Sequence, residues 1–358
     1  MSLSDFLQRA MSRWMRDGGP EDDIILTSRI RVARNIQGVP FPILQTDSHS
    51  DEVIQLVEKA LHSSSFSKLG KFELVRCTNL SALDRQVLVE KHLISKDLAE
   101  QKKHGAVVLR DDEVVSIMVN EEDHLRVQCI MPGLRLTEAW RLANAVDDAF
   151  EQHLLYAFHE KFGYLTACPT NVGTGIRASV MMHLPGLVLS GNINRMLTAV
   201  SQVGLAVRGL YGEGSEAAGN LFQVSNQITL GETEEEIIGN LTSIVNQLID
   251  HERAARRYLL QENRDTLEDR VSRSFGILAY ARRMDSKETL QRLSDVRLGI
   301  DLGIIKGVSA GILKELMVMT QPAFLQKYYN QELSPAERDI RRATMIRERL
   351  RLDDTEVR

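Results

Sequence analysis

The chain has 358 residues, of which 43% are hydrophobic and 26% are charged, and its formal net charge is −5. These values are typical of a globular protein long enough for more than one domain, and they argue against a disordered or fibrous chain. The negative net charge gives no general electrostatic reason to bind nucleic acid, so direct nucleic-acid binding is not favoured.

The three cysteines, Cys77, Cys129 and Cys168, are odd in number and form no CxxC pair. This pattern argues against a disulfide framework and against a structural zinc site, and it is typical of a reducing compartment. The N-terminal residues lack the apolar core of a signal peptide, and no stretch approaches the ~18 apolar residues of a membrane span. We therefore expect a cytoplasmic protein that does not contact a membrane.

Short β-rich runs recur in the first part of the chain and predict strands of one sheet. The runs cover residues 24–30, 72–76, 106–109, 114–119 and 127–131. The last three are separated by short polar segments, which predict hairpins and hence an antiparallel meander. Apolar residues at helical spacing predict a helix over residues 137–162, and Thr233 with Glu236 predicts a capped helix start.

The strand patterns stop after about residue 256. Apolar residues from Leu260 to Leu278 recur at helical spacing and predict one long amphipathic helix, and further helix starts are predicted at Asp285 and Ser334. We therefore predict an α+β protein in which an antiparallel sheet is flanked by helices. The predicted domains are residues 1–255 for the sheet domain and residues 256–358 for an all-helical domain.

The segment SRIRVARN begins at Ser28 and places Arg29 and Arg31 two residues apart. On a strand these side chains face the same side, so the two guanidinium groups can bind the oxygens of one phosphate ligand. The alternative is that both arginines cover a solvated sheet face. On this segment alone that simpler interpretation is favoured.

The segment NEEDHLRV places Glu121, Glu122 and Asp123 shortly before Arg126. A carboxylate can accept two parallel hydrogen bonds from a guanidinium group and can thereby fix a nitrogen that must attack. The alternatives are a solvated acidic turn, which is favoured for this segment in isolation, and a metal site. The metal site ranks last because Asp123 and His124 are adjacent rather than at the i, i+4 spacing of helical ligands.

Two glycine-containing segments complete the set of motifs. The first, CPTNVGTGIRASV, begins at Cys168 and contains neither GxxxxGK[ST] nor GxGxxG, so it is neither a Walker loop nor a dinucleotide fingerprint. Cys168 by itself is more often an inert buried thiol than a reactive one. The second segment, RGLYGEGSE, is typical of a surface loop and carries Glu213.

The motifs SRIRVARN, NEEDHLRV, CPTNVGTGIRASV and RGLYGE together resemble the catalytic domain of the phosphagen kinases, the creatine and arginine kinase family. The resemblance covers about residues 20–255 and implies ATP and Mg²⁺ in a groove across the sheet. The Mg²⁺ is expected to be held through phosphates and water, with no protein ligand. The implied ATP-binding residues are Ser28, Arg29, Arg31, His92, Arg126, Arg177, Ser179, Val180, Arg208 and Gly209.

The same resemblance implies the roles of four further residues. Glu122 is expected to orient the substrate guanidinium and to accept its proton, and Glu213 is expected to supply a second carboxylate from a mobile loop. Cys168 matches the active-site cysteine of the family. Glu121 is expected to act as a supporting acid.

The chain departs from the phosphagen kinases at both ends. Their N-terminal helical domain is expected to be missing, because the first motif lies within ~30 residues of the start, and the C-terminal extension is similar to that of the bacterial protein-arginine kinases. In those enzymes a motif that matches Arg338, Asp339, Arg341 and Arg342 binds phosphoarginine away from the active site. From the residues alone, an ordinary charged helix face is the simpler interpretation.

We therefore expect an ATP-dependent kinase that phosphorylates exposed arginine side chains of proteins. The resemblance also implies a homodimer, a McsA-type zinc-binding activator, delivery of marked proteins to a Clp ATPase and protease, and a heat-shock repressor as a substrate. Two alternatives stay open. The chain could phosphorylate a free guanidino metabolite, or it could be a catalytically inert adaptor that binds phosphoarginine.

Overall fold

The computed structural model describes residues 6–7, 11–16, 18–100, 104–209 and 218–355. The strands are β1 (Ile25–Arg34), β2 (Phe72–Arg76), β3 (Ala106–Arg110), β4 (Val115–Val119), β5 (Leu125–Pro132), β6 (Phe158–His159), β7 (Gly163–Tyr164), β8 (Ile176–His183), β9 (Leu205–Gly209) and β10 (Leu221–Asn226). The helices are α1 (Arg13–Arg16), α2 (Asp47–Leu61), α3 (Ser64–Ser67), α4 (Ala82–Glu90), α5 (Lys96–Glu100), α6 (Leu136–Glu151), α7 (Pro185–Leu189), α8 (Ile193–Gln202), α9 (Glu234–Glu262), α10 (Arg264–Tyr280), α11 (Ser286–Asp301), α12 (Ile312–Met319), α13 (Pro322–Tyr329) and α14 (Pro335–Thr355).

Eight strands form one sheet in the order β2-β3-β4-β5-β1-β8-β10-β9, and β6 pairs with β7 in a separate hairpin. The ladders β2/β3, β3/β4, β4/β5 and β1/β5 are antiparallel, which confirms the predicted meander. In the β1/β5 ladder Ala33 lies opposite Arg126, so the residues of the first two motifs are direct neighbours. Strand β4, with the sequence VSIMV, is buried along its whole length, as is typical of a strand covered on both faces.

The chain divides into two compact units. Unit 1 comprises residues 1–14, 27–179 and 225–242, and unit 2 comprises residues 15–26, 180–224 and 243–358. Helix α9 runs without interruption through residues 255 and 256. The predicted domain boundary at that point stays a prediction. No helix in the described part of the chain is both long enough and apolar enough to span a bilayer.

Unit 1 contains a buried ion pair close to its N-terminal residues. Lys91 and Glu113 are fully buried, and the Lys91 Nζ lies 2.6 Å from a Glu113 carboxylate oxygen. The same ammonium group donates to the Phe6 carbonyl at 2.9 Å, and Ser12 Oγ donates to Glu113. These bonds are required because an unpaired buried charge would cost several kcal/mol.

Unit 2 is built around the helices that follow α9. Buried side chains from α10, α11, α12 and α14 share one core, which includes Leu278, Leu293, Leu316 and Ile346. The described residues beyond α9 form helices and their connections, as the sequence predicts.

The prediction of one long helix from Leu260 to Leu278 is wrong, because the chain leaves the helical conformation at Asn263. Helix α9 ends one residue before Asn263 and α10 begins one residue after it. Asparagine is a weak helix former that tolerates positions at helix starts. The apolar pattern continues across the break because Leu259 and Leu267 pack in the same cluster, so the periodicity hides the interruption.

The prediction of a helix over residues 137–162 is correct only as far as Glu151, where α6 ends. Beyond it, Tyr156 forms a β-bridge with Ile36, and the chain continues into the β6/β7 hairpin. Pairing with a distant segment overrides the local apolar spacing here.

The three predicted helix starts are confirmed by their capping hydrogen bonds. The backbone N–H of Thr233 donates to the Glu236 carboxylate at 2.8 Å, and the N–H of Glu288 donates to Asp285 at 2.8 Å. The corresponding distance from the Ser334 N–H to the Glu337 carboxylate is 2.8 Å. The local capping rules therefore hold for these helices.

Gly173 provides a test of the backbone packing in unit 1. At its φ of +115° an added Cβ would lie 2.3 Å from the Thr229 carbonyl oxygen. We predict that Gly173→Ala lowers the free energy of unfolding by about 2 to 4 kcal/mol, because strain and overlap act together. Gly38→Ala is the control, since its φ is +81° but no atom lies within 4 Å, and it should cost about 1 kcal/mol. Equal losses in urea titrations of the two variants would contradict this account.

Candidate active site

Strand β1 presents two arginines on one side of the sheet. Arg29 and Arg31 are half-buried. Ile30 and Val32, which alternate with them along the strand and face the opposite side of the sheet, are fully buried. The Arg29 Nε donates to the Ser179 hydroxyl on β8 at 3.3 Å. The two-residue period of the strand therefore places both guanidinium groups together, as predicted.

Four guanidinium groups repel one another in this region. The pKa of Arg29 is lowered to about 10 by burial and then by the charges of Arg126 and Arg177. The pKa of Arg31 is lowered well below its ordinary value by burial and then by Arg29, Arg126 and Arg177. Arg177 also donates to the Asn226 carbonyl at 3.3 Å. Such a concentration of positive charge is suited to a polyanion, which would relieve the repulsion.

Arg126 links this arginine cluster to two carboxylates. Its Nη1 lies 2.7 Å from a Glu121 oxygen, and its Nη2 lies 2.7 Å from Glu122 Oε2. The Glu121 carboxylate is fully buried, whereas the Glu122 side chain is 43% exposed. Burial raises the pKa of Glu122, and the charges of Asp123 and Glu121 add to that effect while Arg126 opposes it.

The carboxylates lie in the tight turn between β4 and β5, as predicted. The Asn120 N–H donates to the His124 carbonyl at 2.9 Å, and the Glu121 N–H donates to the Asp123 carbonyl at 3.2 Å. Asn120 adopts a φ of +54°, a conformation that asparagine tolerates better than most residues. The turn therefore has one defined conformation.

The residues that anchor this turn were not predicted from the sequence. The Asn35 side chain accepts from the His124 N–H at 2.9 Å and donates to Asp123 Oδ1 at 2.7 Å. The same Asp123 oxygen accepts from the Ala167 N–H at 2.7 Å, next to Cys168. Asn35 is the last residue of the SRIRVARN motif. A side-chain amide at the end of a charged strand was the one feature of the sequence that could have indicated this anchoring role.

His124 supports the turn rather than a metal ion. Its Nδ1 accepts from the Ile36 N–H at 2.8 Å, so its Nε2 donates to the Pro40 carbonyl at 2.9 Å. Burial lowers the pKa of His124, consistent with a neutral ring whose two nitrogens are both used. Within the described ranges, no three His, Cys, Asp or Glu side chains converge as a metal site would require.

Cys168 differs from the other two cysteines in its accessibility. Cys77 and Cys129 are buried, and burial raises their pKa values to about 11 and about 12. Cys168 is half-buried, and its Sγ lies 3.0 Å from the Thr170 hydroxyl. Among the three thiols, Cys168 is therefore the one placed to meet a ligand.

His92 lies beside the arginine cluster in a strained backbone conformation. Its φ is +59°, its carbonyl accepts from Gln128 Nε2 at 2.8 Å, and its ring centroid lies 5.7 Å from that of Trp14. Burial lowers the pKa of His92 to about 4, and the charge of Arg29 adds to the effect. The ring is therefore neutral near pH 7.

The remaining predicted nucleotide-binding residues are Ser28, Val180, Arg208 and Gly209. The buried Ser28 hydroxyl donates to the Gly133 carbonyl at 2.8 Å and accepts from the Arg135 N–H at 2.9 Å, so its placement does not support a direct nucleotide contact. The Val180 side chain is also fully buried. Arg208 and Gly209 end strand β9. Glu213 lies outside the described residues.

The C-terminal motif lies on α14, and its members differ in exposure. Arg342 is buried and donates to the carbonyls of Thr320 and Met284, both at 2.8 Å, and to Asp339 Oδ1 at 2.7 Å. Burial lowers the pKa of Arg342. This placement does not support direct phosphate binding by Arg342, because its guanidinium is used to anchor Asp339.

The other arginines of this motif are accessible. Arg338 is half-buried and Arg341 is exposed. The Arg341 guanidinium carbon lies 4.8 Å from the centroid of the Tyr329 ring.

Comparison with known proteins gives consistent matches along the chain. Residues 52–255 match the family model of the ATP:guanido phosphotransferase C-terminal catalytic domain, and residues 264–358 match that of the protein-arginine kinase McsB C-terminal domain. The chain is 56% identical over 356 residues to a protein-arginine kinase from Brevibacillus brevis, covering 99% of this chain and 100% of that one. It is 55% identical over 353 residues to a protein-arginine kinase from Bacillus subtilis, and this match covers 99% of this chain and 97% of that one.

Solved structures agree with the family matches. A lombricine kinase has a TM-score of 0.57 and 25% identity, covering 66% of this chain and 69% of that one. The duplicated taurocyamine kinase from Schistosoma mansoni has a TM-score of 0.58 and 25% identity, covering 66% and 34%. With two domain models and near full-length relatives in agreement, the chain belongs to the protein-arginine kinase family of ATP:guanido phosphotransferases.

Proposed function

We propose that this protein transfers the γ-phosphoryl group of ATP to a terminal guanidinium nitrogen of an arginine residue in another protein. The observation that carries the proposal is the position of Arg126, which bridges two carboxylates at the edge of the arginine cluster. A phosphate-binding region and a guanidinium-binding region therefore adjoin one another, as an in-line transfer requires.

The positive charge of the arginine cluster is suited to the phosphates of a nucleoside triphosphate. Arg29, Arg31, Arg126 and Arg177 would neutralise its phosphates and stabilise the charge of the transferring group. His92 would contact the adenosine side. Bound Mg-ATP supplies the phosphoryl group, and we propose that its metal is held through phosphates and water.

Glu122 is the proposed base. A guanidinium group has a pKa of ~12.5 to 13.8 and is a poor nucleophile until it loses a proton. Glu122 is accessible, whereas Glu121 is buried and paired with Arg126 and would hold that arginine in place. We propose that Glu122 orients the substrate guanidinium, accepts its proton, and is assisted by Glu213 and Cys168.

We predict that Glu122→Gln lowers kcat by a factor of about 10² to 10⁴, because the variant keeps the shape of the side chain but loses the base. The assay follows labelled phosphate from ATP into an arginine-rich protein and tests whether the label is acid-labile. Glu58→Gln, at an exposed position on α2 in unit 1, is the control and should leave the rate unchanged. Unchanged incorporation by Glu122→Gln would exclude this residue as the base. Label on free arginine alone would favour the metabolite kinase instead.

The pH dependence offers a separate test of the same residue. Burial raises the pKa of Glu122, and the residue must be ionised to act as a base. Activity should therefore be lost as pH falls through a value above the ~4.3 of an ordinary glutamate. We predict that the acid limb of the kcat/KM profile lies above that value and is absent from the residual activity of Glu122→Gln. If the wild type and Glu122→Gln showed the same acid limb, the titrating group would be a residue other than Glu122.

We also propose that α14 carries a regulatory phosphoarginine site. Arg338 and Arg341 would contact the phosphoryl group and Asp339 the guanidinium, while Arg342 positions Asp339 through the 2.7 Å hydrogen bond. On family resemblance we extend the proposal to a homodimer in the cytoplasm with a McsA-type activator. Its marked substrates, including a heat-shock repressor, would pass to a Clp ATPase and protease.

For the regulatory site, we predict that Arg338→Ala combined with Asp339→Ala lowers activation by phosphoarginine and leaves basal turnover measurable. Initial rates measured across a phosphoarginine titration test this. The matched control is Asp269→Ala with Arg273→Ala, which removes another accessible ion pair of 2.8 Å on a helix of unit 2. Activation that persists in the first variant would refute the assignment.

A further inference from the structure

An open cleft of about 270 Å³ lies in unit 1 beside the glycine-containing loop. One wall is the β6/β7 hairpin, and the opposite wall is the segment that leads into α9. The side chains relevant to binding are Phe158, Phe162, Tyr164, Leu230, Glu232 and Glu234. Neither the arginine cluster nor the Glu122 turn contributes to its lining.

The cleft exposes an unusual amount of aromatic and aliphatic surface. Phe158 is 56% exposed, Phe162 is 42% exposed and Leu230 is 50% exposed. Leu155 and Ile228, which flank the two walls in sequence, are 72% and 56% exposed. Grouped apolar exposure of this kind marks binding surfaces more often than it occurs by chance.

The walls are held rigidly by close backbone packing. The Tyr164 N–H donates to the Gly173 carbonyl at 2.8 Å, and the Thr174 N–H donates to the Thr229 carbonyl at 3.2 Å. A Cβ added to Gly163 would lie 2.6 Å from the Gly173 carbonyl oxygen, so the strands approach as closely as their backbones allow. The cleft is therefore formed before any ligand arrives.

A buried arginine packs against the face of the Tyr164 ring. The Arg34 guanidinium carbon lies 3.5 Å from the centroid of the Tyr164 ring, and Arg34 pairs with Asp147 at 2.7 Å. Tyr164 also packs edge to face with Phe158 at 5.2 Å. The aromatic wall thus has a defined orientation.

The cleft has the electrostatic character of a cation site. Glu232 and Glu234 are half-buried and line the cleft together with Lys161, and none of the ion pairs among the described residues involves either carboxylate. Glu234 stabilises the start of α9, but Glu232 precedes the helix and has no such role. The Lys161 ammonium lies 5.4 Å from the Phe162 ring centroid, so an internal cation already uses one ring. Aromatic faces beside unpaired carboxylates favour a guanidinium or ammonium group.

The cleft adjoins the turn that carries Glu122. The Asn35 amide donates both to Asp123 Oδ1 at 2.7 Å and to the Leu165 carbonyl at 3.1 Å, and Leu165 directly follows Tyr164. Asn35 therefore connects the Glu122 turn to the chain next to Tyr164, a lining residue of the cleft. A substrate segment with its acceptor arginine at Glu122 would pass the cleft within a few residues of that arginine.

We propose that this cleft binds a second arginine of the substrate protein, located a few residues from the acceptor arginine. The inference rests on the proposed function and adds a sequence preference to it. Its occupant is the substrate polypeptide, because arginine-bearing segments are cationic and complement Glu232 and Glu234. The exposed rings would pack against the aliphatic part and the planar guanidinium of the arginine side chain.

The test compares peptides that carry one acceptor arginine with peptides that carry a second arginine at spacings of two to six residues. For the wild type we expect kcat/KM to be about threefold to tenfold higher for the two-arginine peptides at the favoured spacing. Phe158→Ala with Phe162→Ala, and separately Glu232→Gln with Glu234→Gln, should remove this preference. Turnover of the one-arginine peptide should stay the same in both variants.

Tyr280→Ala is the control variant, since Tyr280 is 78% exposed and lies in unit 2. It should keep the preference. Equal wild-type rates for the two peptide classes would overturn the inference, as would a preference that survives in both cleft variants. Replacing the second arginine by lysine should retain part of the preference, whereas citrulline, which is neutral, should abolish it.

A binding measurement separates the inference from the proposed function. Fluorescence anisotropy of a labelled two-arginine peptide, measured with the wild type in the absence of ATP, does not depend on phosphoryl transfer. Weaker binding to the cleft variants supports the inference even if no peptide is phosphorylated, an outcome that would refute the proposed function alone. Unchanged binding in both cleft variants would overturn the inference. Matching thermal unfolding of the variants confirms that they are folded.

Discussion

The candidate active site depends on one buried carboxylate oxygen. Asp123 Oδ1 accepts hydrogen bonds from Asn35 and from the Ala167 N–H, both at 2.7 Å, and thereby joins the end of β1, the Glu122 turn and the Cys168 segment. Burial raises the pKa of Asp123, which these two hydrogen bonds oppose. Because the turn is fixed from inside the protein, Glu122 itself needs no partner beyond Arg126 to keep its position. The accessible carboxylate would then be available for the proposed chemistry, while its buried neighbours support the turn.

Arg126 belongs to the arginine cluster and also forms ion pairs with two carboxylates, Glu121 and Glu122. Burial and then the charges of Arg126 and Arg177 lower the pKa values of Arg29 and Arg31, and Glu121 offsets part of this effect for Arg31. A region in which cations are held together by buried surroundings is prepared for an anion before the anion binds. The same guanidinium that would meet phosphate also fixes Glu122. Nucleotide binding and acceptor orientation would therefore be coupled through a single side chain.

Local patterns predicted much of this fold and part of the site. The meander, the capping boxes and the shared face of Arg29 and Arg31 follow from residue spacing and short-range hydrogen bonds. The break at Asn263 and the β6/β7 hairpin could not be predicted, because apolar packing and distant pairing decide them. The anchoring roles of Asn35 and Asp123 depend on contacts across 88 residues of chain. The aromatic cleft likewise arises only when the hairpin meets the segment before α9.

The hydrogen bonds of Arg342 restrict which substitutions this protein can accept during evolution. Its guanidinium reaches Thr320 after α12, Met284 before α11 and Asp339 on its own helix. Lysine carries its three N–H donors on a single nitrogen and lacks the planar fork that reaches these separate acceptors. A substitution of Arg342 would disturb the proposed phosphoarginine site and would also leave buried carbonyls unpaired, which weakens the helical unit. Loss of the proposed regulation would then coincide with a loss of stability, so natural selection would act against both at once.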